Sequence, residues 1–227
     1  ARLDRDLARR ADDVPLAYLL GEREFRGLVL QVGPEVLVPR PETETLVEWA
    51  LELAPGVAER PGGRRLADLG TGSGAIALAF KHAAPAFDVV ATDRSAAALA
   101  IAEANGERLA LAVDWRGGDW WAPLAGERFG LAVSNPPYIA EGDRHLQALR
   151  HEPAQALTAG PDGLSALRSI VAAALSPLVP GGWLLLEHGF DQATAVRQLL
   201  QAAGFEEIET RSDLAALPRV TGGRTPV

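Results

Sequence analysis

The stretch RLADLGTGSGAIALAF, residues 65–80, leaves few options for a fold. A short apolar strand, Leu66–Leu69, enters a turn with Gly70, Gly72 and Gly74, and the chain continues as an alanine-rich helix, Ala75–His82. Val89–Thr92 follows as a second apolar strand. Strands joined through a helix pair in parallel, because a parallel crossover needs a dozen or more residues. The rhythm then repeats. Ser95–Glu107 reads as a helix with Ser95 as N-cap, Leu109–Val113 as a third strand and Leu131–Val133 as a fourth. Leu164–Leu175 reads as a helix, Trp183–Leu186 as a fifth strand, and Ala193–Ala203 as a helix closed by Gly204. Glu207–Thr210 and a segment near Val220 supply closing strands. The expectation is an α/β fold with a largely parallel sheet, helices on both faces, and ligands at the carboxyl ends of the strands.

Ahead of this unit, residues 1–20 read as the end of a helix broken at Asp12-Asp13-Val14-Pro15. EFRGLVLQVGPEVLVPR alternates apolar and polar residues around Gly33-Pro34 and predicts a β-hairpin. PETETLVEWALELA carries a helical stripe with an acidic first turn, and Pro55 to Gly63 reads as a loop. The sequence opens on Ala1 and holds no Met, so we expect either that the natural start lies upstream or that methionines are missing from it. No apolar run spans a bilayer and no basic-then-apolar leader is present, so the expected compartment is cytoplasmic. With no Cys, and four His that do not fall at zinc spacing, no metal is expected. A net charge of −8 argues against a general nucleic-acid coat, since such binding relies on Lys and Arg neutralising phosphates.

Four stretches carry chemistry. Gly70 to Gly74, with Thr71 and Ser73 between the glycines, let a ligand approach the backbone; the spacing is G-x-G-x-G, not the dinucleotide G-x-G-x-x-G. Asp68 before it can accept from an ammonium group. Asp93, at the end of the second strand, can accept both hydroxyls of a ribose, or serve as a helix cap. In GDWW, Asp119 can accept from an adenine amino group and Trp120 can lie against the base; one of Trp120 and Trp121 reads as structural. In SNPPYI, Asn135 and Pro136 each precede a proline and are pushed to extended conformations. Pro136 and Pro137 lack an N–H, so the corner presents acceptors. The Asn135 side-chain oxygen and the Pro136 carbonyl can grip the two protons of an NH2 group, with Tyr138 as a wall, provided the Asn135 NH2 is anchored elsewhere. Arg40 either lines the site or pairs with Glu42 and Glu44, the pairing being favoured. Glu152 and Glu187 are expected to be solvated, and His151 structural.

The glycine loop, the acidic second-strand end and N-P-P-Y together resemble class I S-adenosylmethionine-dependent methyltransferases acting on nitrogen. LVPRPETE, HEPAQAL, GPDGL, LLLEHG and RVTGGR further resemble the HemK/PrmC family. The resemblance covers nearly the whole chain. It implies a mostly parallel seven-stranded Rossmann-like sheet, and methylation of the side-chain amide of the Gly-Gly-Gln glutamine in peptide-chain release factors. Gly70 to Gly74, Asp93 and Trp120 would contact S-adenosylmethionine, Asn135 would touch cofactor and substrate, and Asn135 to Tyr138 would hold the glutamine. S-adenosylhomocysteine would be the product. Residues 1–21 would be the end of an N-terminal helical substrate-binding domain, 22–38 a hairpin linker, and 39–227 the catalytic domain. A monomer with release factors as partners, no membrane and no stable nucleic-acid binding is expected. The competing expectation is an adenine-N6 nucleic-acid methyltransferase, since a flipped adenine offers the same NH2 group.

Overall fold

A computed structural model describes residues 2–227 of the chain. Two short helices, α1 (Arg2–Ala11) and α2 (Leu16–Leu20), precede a hairpin of β1 (Glu22–Phe25) and β2 (Leu28–Gln31). The hairpin turns at Arg26-Gly27, with φ of 49° and 79°, not at Gly33-Pro34. Two successive left-handed residues give the turn whose twist matches paired strands. Helix α3 (Glu44–Ala58) runs through Pro55, where the sequence reads as a loop. Burial of Ala54 and Val57 on either side holds that last turn against the helix.

The main sheet is built from β3 (Arg65–Leu69), then α4 (Ala75–Ala83), β4 (Asp88–Asp93), α5 (Ala96–Leu109), β5 (Asp114–Gly117) and β6 (Phe129–Ser134). It is completed by α6 (Ser165–Ala172), β7 (Leu178–Glu187), α7 (Ala193–Ala202), β8 (Glu206–Ser212) and β9 (Pro218–Arg224). The third strand of the unit lies later than Leu109–Val113. Helix α5 runs to Leu109, Ala110 turns left-handed at φ 53°, and pairing with β4 starts only at Asp114 opposite Val90. The alternating Leu109, Leu111 and Val113 mimic a strand because all three rest against the core from a helix end and a loop. Helix α6 likewise stops at Ala172, short of Leu175.

The strand order is β5-β4-β3-β6-β7-β9-β8, parallel from β5 through β7, with β9 antiparallel to both its neighbours. One face buries Leu46, Trp49, Phe80, Leu131 and Leu185 with α3, α4 and the hairpin. The other buries Trp121, Phe129, Ile170 and Leu200 with α6 and α7. Among the described residues no helix is long and apolar enough to cross a membrane.

One polar side chain ties these parts together. Asn105, fully buried on α5, accepts from the Gln31 N–H (2.7 Å) and donates to the carbonyls of Gln31 and Ser73 (both 3.0 Å). It therefore links the hairpin, α5 and the glycine loop. Asn105→Ala strands three backbone groups and is expected to destabilise the fold by about 2–4 kcal/mol, read as a fall in the denaturant midpoint.

Candidate active site

Strand order reverses at β3, since the chain moves outward through β4 and β5 and returns to β6 on the other side. Such a reversal opens a crevice at the carboxyl ends of the strands. The glycine loop leaves β3 on one side of it, and Asn135 leaves β6 on the other. The Ser134 hydroxyl donates to the Leu69 carbonyl at 2.6 Å and locks the two strand ends together. Between them lies a cavity of about 320 Å³, lined among others by Gly70, Gly72, Asp93, Trp120, Asn135 and Pro136. Thr71, Ser73, Asp119 and Pro137 also line it. Ten of the sequence-predicted site residues thus face one space, although they come from the ends of four separate strands, β3, β4, β5 and β6.

Asp93 shapes the loop it faces. One carboxylate oxygen accepts from the Gly72 N–H (2.9 Å) and the other from the Ser95 N–H (2.8 Å), which leaves a free lone pair on each. Gly70 has φ 77°, and a Cβ there would lie 2.9 Å from the Trp120 ring. Trp120 itself sits at φ 45°, its carbonyl held by the Thr92 hydroxyl at 3.1 Å. A bulky residue in that region is strained, and such strain collects at ligand sites. Trp121 is the structural partner: it is buried and its indole N–H donates to the Ile170 carbonyl at 2.9 Å.

Three predicted residues, Asp68, Gly74 and Tyr138, do not line the cavity. Asp68 is fully buried beneath the loop, where one carboxylate oxygen accepts from the Thr71 hydroxyl (2.6 Å) and the Ala77 N–H (3.2 Å). Burial pushes its carboxyl up to about 7, against the pull of those two hydrogen bonds. Tyr138 packs behind the corner. Its carbonyl accepts from Gln192 Nε2 at 2.9 Å, and Gly163 passes so close that a Cβ would lie 2.3 Å from that carbonyl oxygen.

At the corner, Asn135 Nδ2 donates to Thr43 Oγ1 at 3.2 Å, while Asn135 Oδ1 is buried and has no protein partner. The anchoring that the acceptor reading requires is therefore present. Of the other residues weighed in the sequence, Arg40 lines the cavity, while Glu152, Glu187 and His151 lie outside its lining. Glu152 is buried, accepts from the Val38 N–H (3.1 Å) and pairs with Arg40, so Arg40 pairs across the cavity rim and not with Glu42 or Glu44. Glu187 is also fully buried, not solvated, because β9 covers the end of β7, pairing Glu187 with Val220. His151 contacts Asp12 near α1, away from the cavity.

A seven-stranded sheet with a single reversed strand, and a glycine loop on the strand at the switch point, defines a class I methyltransferase fold. The Methyltransferase small domain family matches residues 53–163. The release factor glutamine methyltransferase of Coxiella burnetii is 50% identical over 217 residues, covering 95% of this chain and 77% of that protein. That of Xylella fastidiosa strain Temecula1 is 54% identical over 220 residues, covering 96% and 78%. Among solved structures, the release factor-specific protein-(glutamine-N5) methyltransferase of Alicyclobacillus acidocaldarius is similar at 31% identity and a TM-score of 0.52, covering 87% of this chain and all of that one. The chain belongs to the release factor glutamine methyltransferase family.

Proposed function

We propose that this chain methylates the side-chain amide nitrogen of the glutamine in the Gly-Gly-Gln motif of peptide-chain release factors, with S-adenosylmethionine as donor. The observation that carries the reading is the unpartnered, buried Asn135 Oδ1 at the edge of a cavity whose far wall is the Gly70–Gly74 loop, Asp93 and Trp120. An orphaned buried acceptor is costly, and a substrate N–H repays that cost.

The residues fit the donor. The free lone pairs of Asp93 suit two ribose hydroxyls, the glycine loop lets the amino-acid part approach backbone, and Trp120 and Asp119 suit an adenine ring and its amino group. When bound, S-adenosylmethionine supplies an electrophilic methyl on a sulfonium and leaves as S-adenosylhomocysteine.

A primary amide nitrogen is a weak nucleophile because its lone pair is shared with the carbonyl. Asn135 Oδ1 and the Pro136 carbonyl grip the two amide protons and favour a more pyramidal nitrogen. They also aim it across the cavity, and holding both reactants in line converts a bimolecular step into an effectively unimolecular one. As the new N–C bond forms, the nitrogen gives up one proton, which passes to water. We also assign residues 1–21 to the end of a substrate-gripping helical domain and residues 22–38 to a linker ahead of the catalytic domain, and expect a cytoplasmic monomer.

The test offers the enzyme a release factor and, separately, an adenine-containing oligonucleotide. Mass spectrometry is expected to find one added methyl on the Gly-Gly-Gln glutamine and none on the oligonucleotide. Methyl on adenine alone would transfer the reading to a nucleic-acid enzyme.

A further inference from the structure

The reaction leaves one buried carboxylate without a task. Glu187 ends β7 with no exposure, and the Thr43 and Asn135 side chains lie against its carboxylate without closing a well-formed hydrogen bond to either oxygen. Ser134 pairs with Leu186 across β6 and β7, so Asn135 and Glu187 leave the sheet side by side. Thr43 completes the group from the 3-10 turn Pro41–Thr43, with its hydroxyl 3.2 Å from Asn135 Nδ2. We propose that Glu187 is a positioning residue for methyl transfer: its carboxylate, set behind the corner, decides which way the Asn135 amide faces.

Given the reaction proposed above, the donors that the corner must place decide the orientation. Asn135 has two N–H groups on Nδ2, and one of them is given to Thr43. The Thr43 oxygen, having accepted, still has its own O–H to place. The second Asn135 N–H and the Thr43 O–H both lie beside a carboxylate that, when ionised, only accepts. In the proposed arrangement Oδ1, which has no protein partner, is the group left for the substrate. If the amide flipped, Oδ1 would oppose the carboxylate, acceptor against acceptor, and NH2 would face the incoming glutamine NH2. A flipped corner cannot grip its substrate.

Protonation reverses the preference. Burial pushes Glu187 up to about 7, with Thr43 opposing, Glu42 reinforcing, and Arg219 and Asn135 opposing. The other titratable neighbours are the Tyr138 phenol and His188, whose ring is already engaged by the Gly189 carbonyl and the Thr221 hydroxyl. A carboxyl pKa raised in this way means that the acceptor-only form exists above about pH 7 and is lost as pH falls through that value. The neutral acid carries an O–H that can capture Asn135 Oδ1 from behind. Turnover should therefore fall on the acid side of about pH 7, while donor binding, on the other wall of the cavity, should not.

Glu187→Gln preserves shape and adds a permanent donor at the same place. Single-turnover methylation of a release factor and calorimetric binding of S-adenosylhomocysteine, both across pH 6 to 9, read the effect. The expected result is at least a tenfold loss of rate at pH 8, affinity for S-adenosylhomocysteine within twofold of wild type, and disappearance of the acid limb that wild type shows. The wild-type profile needs no variant and is informative by itself: a rate flat from pH 6 to 8 would overturn the proposal. So would a Gln variant with wild-type rate and an intact acid limb, or one that loses rate only in step with S-adenosylhomocysteine affinity. A wild-type enzyme that methylates no release factor at any pH would instead defeat the proposed function.

Discussion

Asn135→Ala is expected to slow single-turnover methylation of a release factor by about 10²–10³-fold, the range seen when one preorganised polar contact is removed from a reacting group. Affinity for S-adenosylhomocysteine should change by less than about tenfold, because the ribose and loop contacts remain. The split follows from the position of Asn135. It stands on the β6 side of the crevice, across the cavity from Asp93, and its Nδ2 contact with Thr43 holds no part of the glycine loop. A fall in affinity matching the fall in rate would mean that Asn135 acts through the donor instead.

The opposite split is expected for Asp93→Ala. Its carboxylate holds the Gly72 and Ser95 N–H groups and keeps one lone pair per oxygen for a ribose hydroxyl. Hydrogen bonds to a charged group contribute about 1.5–3 kcal/mol each, so losing two ribose contacts weakens S-adenosylhomocysteine binding by about 10²-fold or more. Calorimetry reads this directly. At saturating donor, the remaining rate should recover toward wild type, because the corner that grips the glutamine is untouched. An affinity within a factor of three of wild type would remove Asp93 from the donor site.

The parts of the site that are legible in sequence are those in which backbone chemistry is local. Glycine at 70, 72 and 74 and proline at 136 and 137 constrain their own dihedrals and hydrogen bonds, whatever surrounds them. Asp93 is legible because the end of a parallel strand is where such folds bind ligands. Arg40, Glu152 and Glu187 read differently because their surroundings are assembled from distant segments. Arg40 meets Glu152 only after the chain has crossed the sheet, and Glu187 is covered only once β9 pairs with β7. Nothing nearby in sequence reports that burial, so a rule of thumb about solvated carboxylates gives the wrong environment. Asn105 left a faint signal, as a poor helix former inside an alanine-rich helix, which has meaning only once the Gln31 and Ser73 backbone is beside it. The misplaced third strand has the same origin, since the period-two apolar pattern of Leu109, Leu111 and Val113 reports burial and not pairing.

The central claim is that the Asn135 corner faces its substrate with acceptors alone. A crystal structure of the enzyme with S-adenosylhomocysteine and a Gly-Gly-Gln peptide tests it most directly. The glutamine side-chain nitrogen should lie about 3 Å from both Asn135 Oδ1 and the Pro136 carbonyl oxygen, on the side facing the donor sulfur. A glutamine bound with its carbonyl oxygen toward Asn135, or an Asn135 amide turned so that Oδ1 meets Thr43, would contradict the account.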